Sequence, residues 1–149
     1  MIPIPYFEHR VMVLASDIDE NIHANNISYV RWMQEAALAH STANGWSPER
    51  VRDSGYAWVA RRHTVDYLVP AVEGERITVI TWVIDMKLVR STRRYKFIRE
   101  SDGVLIAHAE TLWAFVSAET GRPIKIPKEV EGCFCLVDDV NHTKSEHVL

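Results

Sequence analysis

Hydrophobic and polar positions alternate along this chain with two different periods, and the change of period divides it into elements. From Tyr6 to Ala15 one parity is mostly apolar (Phe7, Val11, Val13, Ala15), while the other carries Glu8 and Arg10. That is the pattern of a strand with one buried face. Pro3 and Pro5 keep the residues ahead of it extended. The period then lengthens. Ile27 to Asn44 contains no Pro or Gly, and Ile27, Val30, Ala37 and Tyr29, Met33, Ala36 recur at helical spacing. Ala36, Ala37, Ala39 and Ala43 leave little side-chain bulk, so another element can pack close. Asn25 or Asn26 suits the N-cap, and Asn44-Gly45 the stop. Ser47-Pro48-Glu49 opens a second, short helix that ends near Ser54-Gly55. After Gly55 the pattern is β. Strands are predicted over Tyr56–Leu68, Arg76–Lys87, Ser91–Glu100 and Leu105–Ser117, separated by Pro70, Glu73-Gly74-Glu75, Ser101-Asp102-Gly103 and Glu119-Thr120-Gly121-Arg122-Pro123. Past Pro127 the tail turns polar (Asp138-Asp139, Asn141-His142-Thr143-Lys144) and is expected to fray.

The order strand, long helix, short helix, four strands predicts an α+β fold. Short turns make most of the sheet antiparallel, and the one long helix must cover its apolar face. The expectation is a single domain over residues 1–149, with a core from about residue 6 to 130, in which a five-stranded antiparallel sheet wraps around one helix. Trp58, Ile80, Trp82, Trp113 and Phe115 give the strands more bulk than an Ala-rich helix covers, which points to a partner surface.

Composition narrows the function classes. The net charge of -3 offers no electrostatic case for nucleic acid or an anionic membrane. There is no 18-residue apolar run to span a bilayer, and the first residues lack the basic and apolar regions of a secretory signal. Cys133 and Cys135 form neither a zinc quartet nor a C-x-x-C pair, so two reduced thiols and a cytoplasmic location are expected. No ligand cluster for a metal or organic cofactor is visible in the sequence.

The chemically dense stretch is Ser16-Asp17-Ile18-Asp19-Glu20-Asn21-Ile22-His23-Ala24-Asn25-Asn26, at the junction of the first strand and the long helix. Carboxylates, a histidine and three asparagines crowd there. The first-turn N–H groups, from Asn25 to Ser28, point beyond the helix end and favour negative charge. The bland reading is a solvated loop with caps; the functional one is a carboxylate working beside backbone N–H donors.

The pattern Asp17-x-Asp19-x-x-x-His23-x-Asn25-Asn26-x-x-Tyr29, extended by Trp32, resembles the hot-dog-fold thioesterases. It is closest to their 4-hydroxybenzoyl-CoA and short-chain acyl-CoA branch and to the plant-type acyl-ACP branch. Asp66-Tyr67-x-x-Pro70 followed by Gly74-Glu75 is a weaker second match. The resemblance implies thioester hydrolysis without a cofactor, coenzyme A being part of the substrate. It also implies homodimers or homotetramers with sites between subunits. It places Asp19 as nucleophile or general base. Asp19-x-Asn21-x-His23 matches the working set proposed for the acyl-ACP branch, so His23 and Asn21 join the catalytic candidates. Asn25, Asn26 and Tyr29 are candidate substrate contacts, while Asp17 is read as a support of the turn.

Two departures stand out. Ile22 occupies a position where bacterial members carry Gly, which argues for a shifted loop or a different acyl pocket. Pro70 stands where the plant-type branch has a further acid. Glu35 is an alternative carboxylate, ranked below Asp19 because Arg31 lies at i−4 and such pairs are usually surface ion pairs. The basic run from Lys87 to Lys96 supplies Arg90, Ser91, Arg93 and Arg94 as candidate contacts to the phosphates of coenzyme A or to a carrier-borne phosphopantetheine. The solvated-edge reading of that run stands beside it. The function this resemblance implies is that of an acyl-CoA thioesterase acting on a small-molecule acyl thioester. The rivals are an acyl-ACP thioesterase, whose partner is an acyl carrier protein, and, from another class, a non-catalytic acyl-thioester binder or a hot-dog dehydratase.

Overall fold

The two periods emerge as two layers. A computed structural model describes residues 3–138. Strand β1 (Phe7–Met12) is followed by a 3-10 turn (Ala15–Asp17), helices α1 (Asn26–Ala43) and α2 (Pro48–Asp53), strands β2 (Tyr56–Tyr67), β3 (Arg76–Lys87), β4 (Arg90–Arg99) and β5 (Leu105–Ser117), and a short helix α3 (Lys128–Glu131). The sheet order is β1-β3-β4-β5-β2, with every neighbouring pair antiparallel. The fold is α+β of the hot-dog type, a five-stranded sheet around α1. β1 and β2 are its edges.

The strand parity holds from Phe7 to Val13 and fails at Ala15, which is exposed on the 3-10 turn. Tyr29, Trp32, Met33, Ala36, Ala37 and His40 form the buried face of α1. Ile27, expected on an apolar stripe, is 80% exposed. Asn25 is the N-cap, its side chain accepting from the Ser28 N–H, and Gly45 takes φ 95°, the left-handed geometry of a helix stop. Ser47 caps α2 in the same way. The amino-terminal strap is clamped onto the end of α1, with the Ile4 N–H donating to Asn44 Oδ1 and the Ile4 carbonyl accepting from His40 Nε2 at 2.6 Å.

The core has two parts. One joins Tyr29, Trp32 and Met33 to Ile77, Val79, Tyr95, Phe97 and Ile106. The other gathers Trp46, Val51, Val83, Phe115, Ile126, Val130 and Phe134. The second part corrects one expectation. The chain past Pro127 does not fray through its described part: α3 and Phe134 pack onto the sheet, and the Val137 N–H bonds to the Val83 carbonyl. Phe115 is buried beneath Val51 of α2 and Val130 of α3, while Trp58 and Trp113 stay half-buried. The polar residues Asn141-His142-Thr143-Lys144 lie outside the described residues. Among the described residues, no helix is long and apolar enough to cross a membrane, and no cluster of three His, Cys, Asp or Glu could hold a metal ion.

Candidate functional site

The polar junction is built outward from Asp17. Its carboxylate is fully buried. It accepts from the Leu14 N–H at 2.9 Å, the Ser28 hydroxyl at 2.7 Å and Arg31 Nη2 at 2.5 Å. Burial pushes its pKa up, but the Leu14 and Ser28 bonds and the Arg31 guanidinium outweigh that and leave it below the ordinary aspartate value. The Asp17 carbonyl accepts from both the backbone N–H and the side-chain amide of Asn25. One residue therefore locks the end of the 3-10 turn to the start of α1. Arg31 continues to Glu35 at 3.5 Å, and Glu35 also meets His9 Nε2 at 3.3 Å, so Glu35 is an ion-pair partner on the helix surface.

Asp19 sits on the loop that this lock holds. An isolated bridge between Ile18 and Ala24 and the Asp19 N–H to His23 carbonyl bond turn the chain back toward α1. Asp19 Oδ1 accepts the backbone N–H groups of Asn21 at 2.8 Å and His23 at 3.3 Å. Only that oxygen is engaged among the described residues. The structure thus brings Asp19, Asn21 and His23 together through backbone donors. The side chains of Asn21 and His23 face outward, both residues being exposed. Ile22 takes φ 65°, a left-handed conformation that is costly for a β-branched residue. A glycine, which has no Cβ, takes this geometry without that cost.

The first turn of α1 is partly spoken for. The Asn25 N–H goes to the Asp17 carbonyl, and the Ser28 N–H goes to the cap. That leaves the N–H groups of Asn26 and Ile27 as the donors, of the four expected, that have no acceptor among the described residues, at an exposed edge. Tyr29 is placed elsewhere. It is 2% exposed, packed on Trp32, Tyr67 and Phe97 at ring distances of 5.0–5.3 Å. Burial, with Tyr67 and Glu75 nearby, pushes its hydroxyl up to about 12.

The basic run is split by strand parity. Arg90 is exposed at the β3–β4 turn, and Arg94 lies on the outer face, paired with Glu110 at 3.2 Å. Ser91 and Arg93 point inward; Ser91 Oγ donates to the Asp85 carbonyl and Arg93 is 5% exposed. The four residues form no single patch. The polar junction is tied to the start of β3 by the Val13 N–H to Glu75 carbonyl bond. Arg90 lies past its other end, eleven steps of roughly 3.3 Å, or about 36 Å, away. On β2 a bulge between Ala60 and Arg62 leaves both Arg61 and Arg62 exposed and turns His63 onto the Thr111 hydroxyl at 2.9 Å.

A cavity of about 580 Å³, which the sequence did not announce, lies between α1, α2 and the sheet, walled by Trp46, Trp58, Val83, Met86, Trp113 and Phe134. It touches α1 only from Gln34 onward, about 12 Å beyond Asn26 at 1.5 Å per residue. It is therefore distinct from the loop that carries Asp19. The signal in the sequence was the surplus of tryptophans on β2 and β5.

Residues 13–134 match the model of the thioesterase-like superfamily. No curated protein matches the chain. Solved structures that share the fold include a hypothetical protein from Aquifex aeolicus (TM-score 0.81, 22% identity, covering 87% of this chain and 99% of that one). A 1,4-dihydroxy-2-naphthoyl-CoA thioesterase from Synechocystis is similar (TM-score 0.80, 18% identity, 92% and 98%). So is a hypothetical protein from Staphylococcus aureus solved in complex with CoA (TM-score 0.80, 20% identity, 89% and 84%).

Proposed function

The chain belongs to the thioesterase-like superfamily, and from that premise we propose that it hydrolyses acyl-CoA thioesters with Asp19 as nucleophile or general base. The observation that carries the reading is the pairing of two uncommitted features at one junction. Asp19 is held by two backbone N–H bonds to one oxygen, leaving the other oxygen free. The Asn26 and Ile27 N–H groups, at the positive end of α1, are open to a developing oxyanion. His23 and Asn21 project from the same loop, where they can orient the thioester or a water. Asn25 contributes by holding the cap, and Tyr29 by supporting α1 from beneath.

Coenzyme A as the carrier is supported by the structural neighbours that bind it or carry it in their substrate's name. The acyl group would lie against the exposed Ile22 and Ile27, 74% and 80% accessible, which flank the loop. The same apolar rim and the free edge of β2 suit a second copy of the chain, so a homodimer with the site at the interface is part of the proposal. In such a dimer the basic β3–β4 turn of one protomer, too far from its own Asp19, could serve its partner's. The test is thiol release from a panel of aliphatic and aromatic acyl-CoA substrates, run beside the same acyl groups on acyl carrier protein. Turnover of CoA esters supports the reading. Turnover restricted to carrier-borne esters replaces the carrier, and saturable binding without thiol release contradicts hydrolysis.

A further inference from the structure

The cavity behind α1 has an unusual balance of charge. Its walls are mainly apolar, and among the described residues its only charged lining residues are Arg52 and Arg93. Arg52 is exposed at the rim; Arg93 is buried within, on β4. A buried guanidinium is normally matched by a carboxylate. Here none pairs with it among the described residues. Arg93 Nη1 donates to Thr81 Oγ1 at 3.0 Å and to His40 Nδ1 at 2.9 Å.

His40 does not supply a negative charge. Its Nε2 faces the Ile4 carbonyl, which can only accept, so Nε2 carries the hydrogen and Nδ1 is the acceptor for Arg93. Both partners of Arg93 are thus neutral, and both engage Nη1. Nε and Nη2, the two donors on one edge of the planar fork, have no acceptor among the described residues. Among the described residues the site offers apolar walls, unmatched N–H donors, a buried positive charge and no acid. Its volume lies within the roughly 300–1,000 Å³ typical of small-ligand sites.

We propose that this cavity binds an apolar chain ending in a carboxylate, with the carboxylate bidentate on Nε and Nη2 of Arg93. That edge of the fork matches the two oxygens of a carboxylate. A phosphate of coenzyme A, the role the sequence suggested for Arg93, fits less well. Its several charges and strong hydration suit an open basic surface rather than a tryptophan-walled pocket. The carboxylate can come from a free carboxylic acid or from the distal end of a dicarboxylic acyl group on the thioester. Only the second source rests on the proposed hydrolysis.

The full chain is titrated with dodecanoic acid and with dodecan-1-ol at pH 7.5, below the micellar range, using tryptophan fluorescence and calorimetry. Trp46, Trp58 and Trp113 report directly on the cavity. The acid is expected to bind at least tenfold more tightly than the alcohol. Arg93→Gln should abolish that preference, and Arg93→Lys should restore part of it. The wild-type comparison stands even if Arg93→Gln fails to fold. Equal affinities in the wild type, or a preference that survives in folded Arg93→Gln, would overturn the proposal. A second arm compares kcat/KM for dodecanoyl-CoA and for the mono-CoA thioester of dodecanedioic acid. Arg93-dependent preference for the dicarboxylic substrate assigns the acyl tail as the source. Equal turnover alongside acid binding assigns a free acid. Acid binding with no thiol release from either ester keeps this site and refutes the hydrolase reading alone.

Discussion

Replacing Asp17 by Asn isolates what holds the candidate site together. The substitution keeps the shape but removes the charge from a carboxylate that is fully buried and accepts from Leu14, Ser28 and Arg31. An asparagine oxygen can serve one side of that set. Its NH2 must then face a donor on the other, either the Leu14 N–H or the Ser28–Arg31 pair. A bond to a charged acceptor contributes about 1.5–3 kcal/mol net, and a buried donor left facing a donor costs about 1–3 kcal/mol. The Arg31 side chain is about half exposed (49%) and can rehydrate, which trims its share. The expected loss is roughly 2–4 kcal/mol, or a fall of about 5–15 °C in Tm for a chain of this size.

The pH dependence supplies the check. Asp17 has a folded pKa below its ordinary value, so the unfolded chain takes up the proton first as pH falls. The wild-type advantage is therefore present above the ordinary carboxylate pKa of about 3.9 and is lost below it, toward the lower folded value. Urea unfolding followed by tryptophan fluorescence, at fixed protein concentration, should show a gap between the two proteins that is full at pH 7 and closing below about pH 4. A gap under about 1 kcal/mol at pH 7, or one that stays constant to pH 3, would refute the assignment of Asp17 as the charged lock of the junction.

Other perturbations read other parts of the fold. Ile22→Gly should raise stability by about 0.5–1 kcal/mol by relieving the left-handed strain, measured as a higher Tm. His40 is held neutral mainly by burial, then by the charge of Arg93, with its pKa pushed down to about 4 from an ordinary 6.5. The unfolded chain binds that proton first, so this contribution is full above pH 6.5 and falls by about 3 kcal/mol as pH drops to 4. In His40→Leu that part of the slope should vanish from a stability-against-pH series. Val59→Lys, at an exposed position on the free β2 edge, should shift any homodimer toward monomer in analytical ultracentrifugation while leaving the far-UV circular dichroism intact.

Much of this architecture was legible because local signals agreed with the global fold. β3 carries a long β-branched run between strong turns, and Asn25, Gly45, Ser47 and Pro48 mark helix ends with residues suited to them. The failures are those of long-range packing. Periodicity could not show that Ile27 faces solvent, since exposure at a helix start is set by what lies across from it. It could not show that α3 and Phe134 return to cover Phe115. At the site, the placing of Asp17 under the turn follows from its local bonds. The split of the basic run into an inner Ser91 and Arg93 and an outer Arg90 and Arg94 was available from strand parity. What those inner residues face was not, because the cavity is formed by elements far apart in sequence.

The central claim is that Asp19 performs the chemistry, with the Asn26 and Ile27 N–H groups as oxyanion donors, while the Asp17 lock beneath them supplies structure. Asp19 lies on a partly exposed loop, and its carboxylate makes two backbone contacts through one oxygen. Asp19→Asn can keep both contacts and should leave Tm within about 2 °C. The most direct measurement is kcat for thiol release from the best acyl-CoA substrate, wild type against Asp19→Asn, with Tm recorded on the same samples. A fall of about 100-fold or more in kcat at unchanged Tm is the predicted result. Undiminished turnover in a folded Asp19→Asn protein would contradict it.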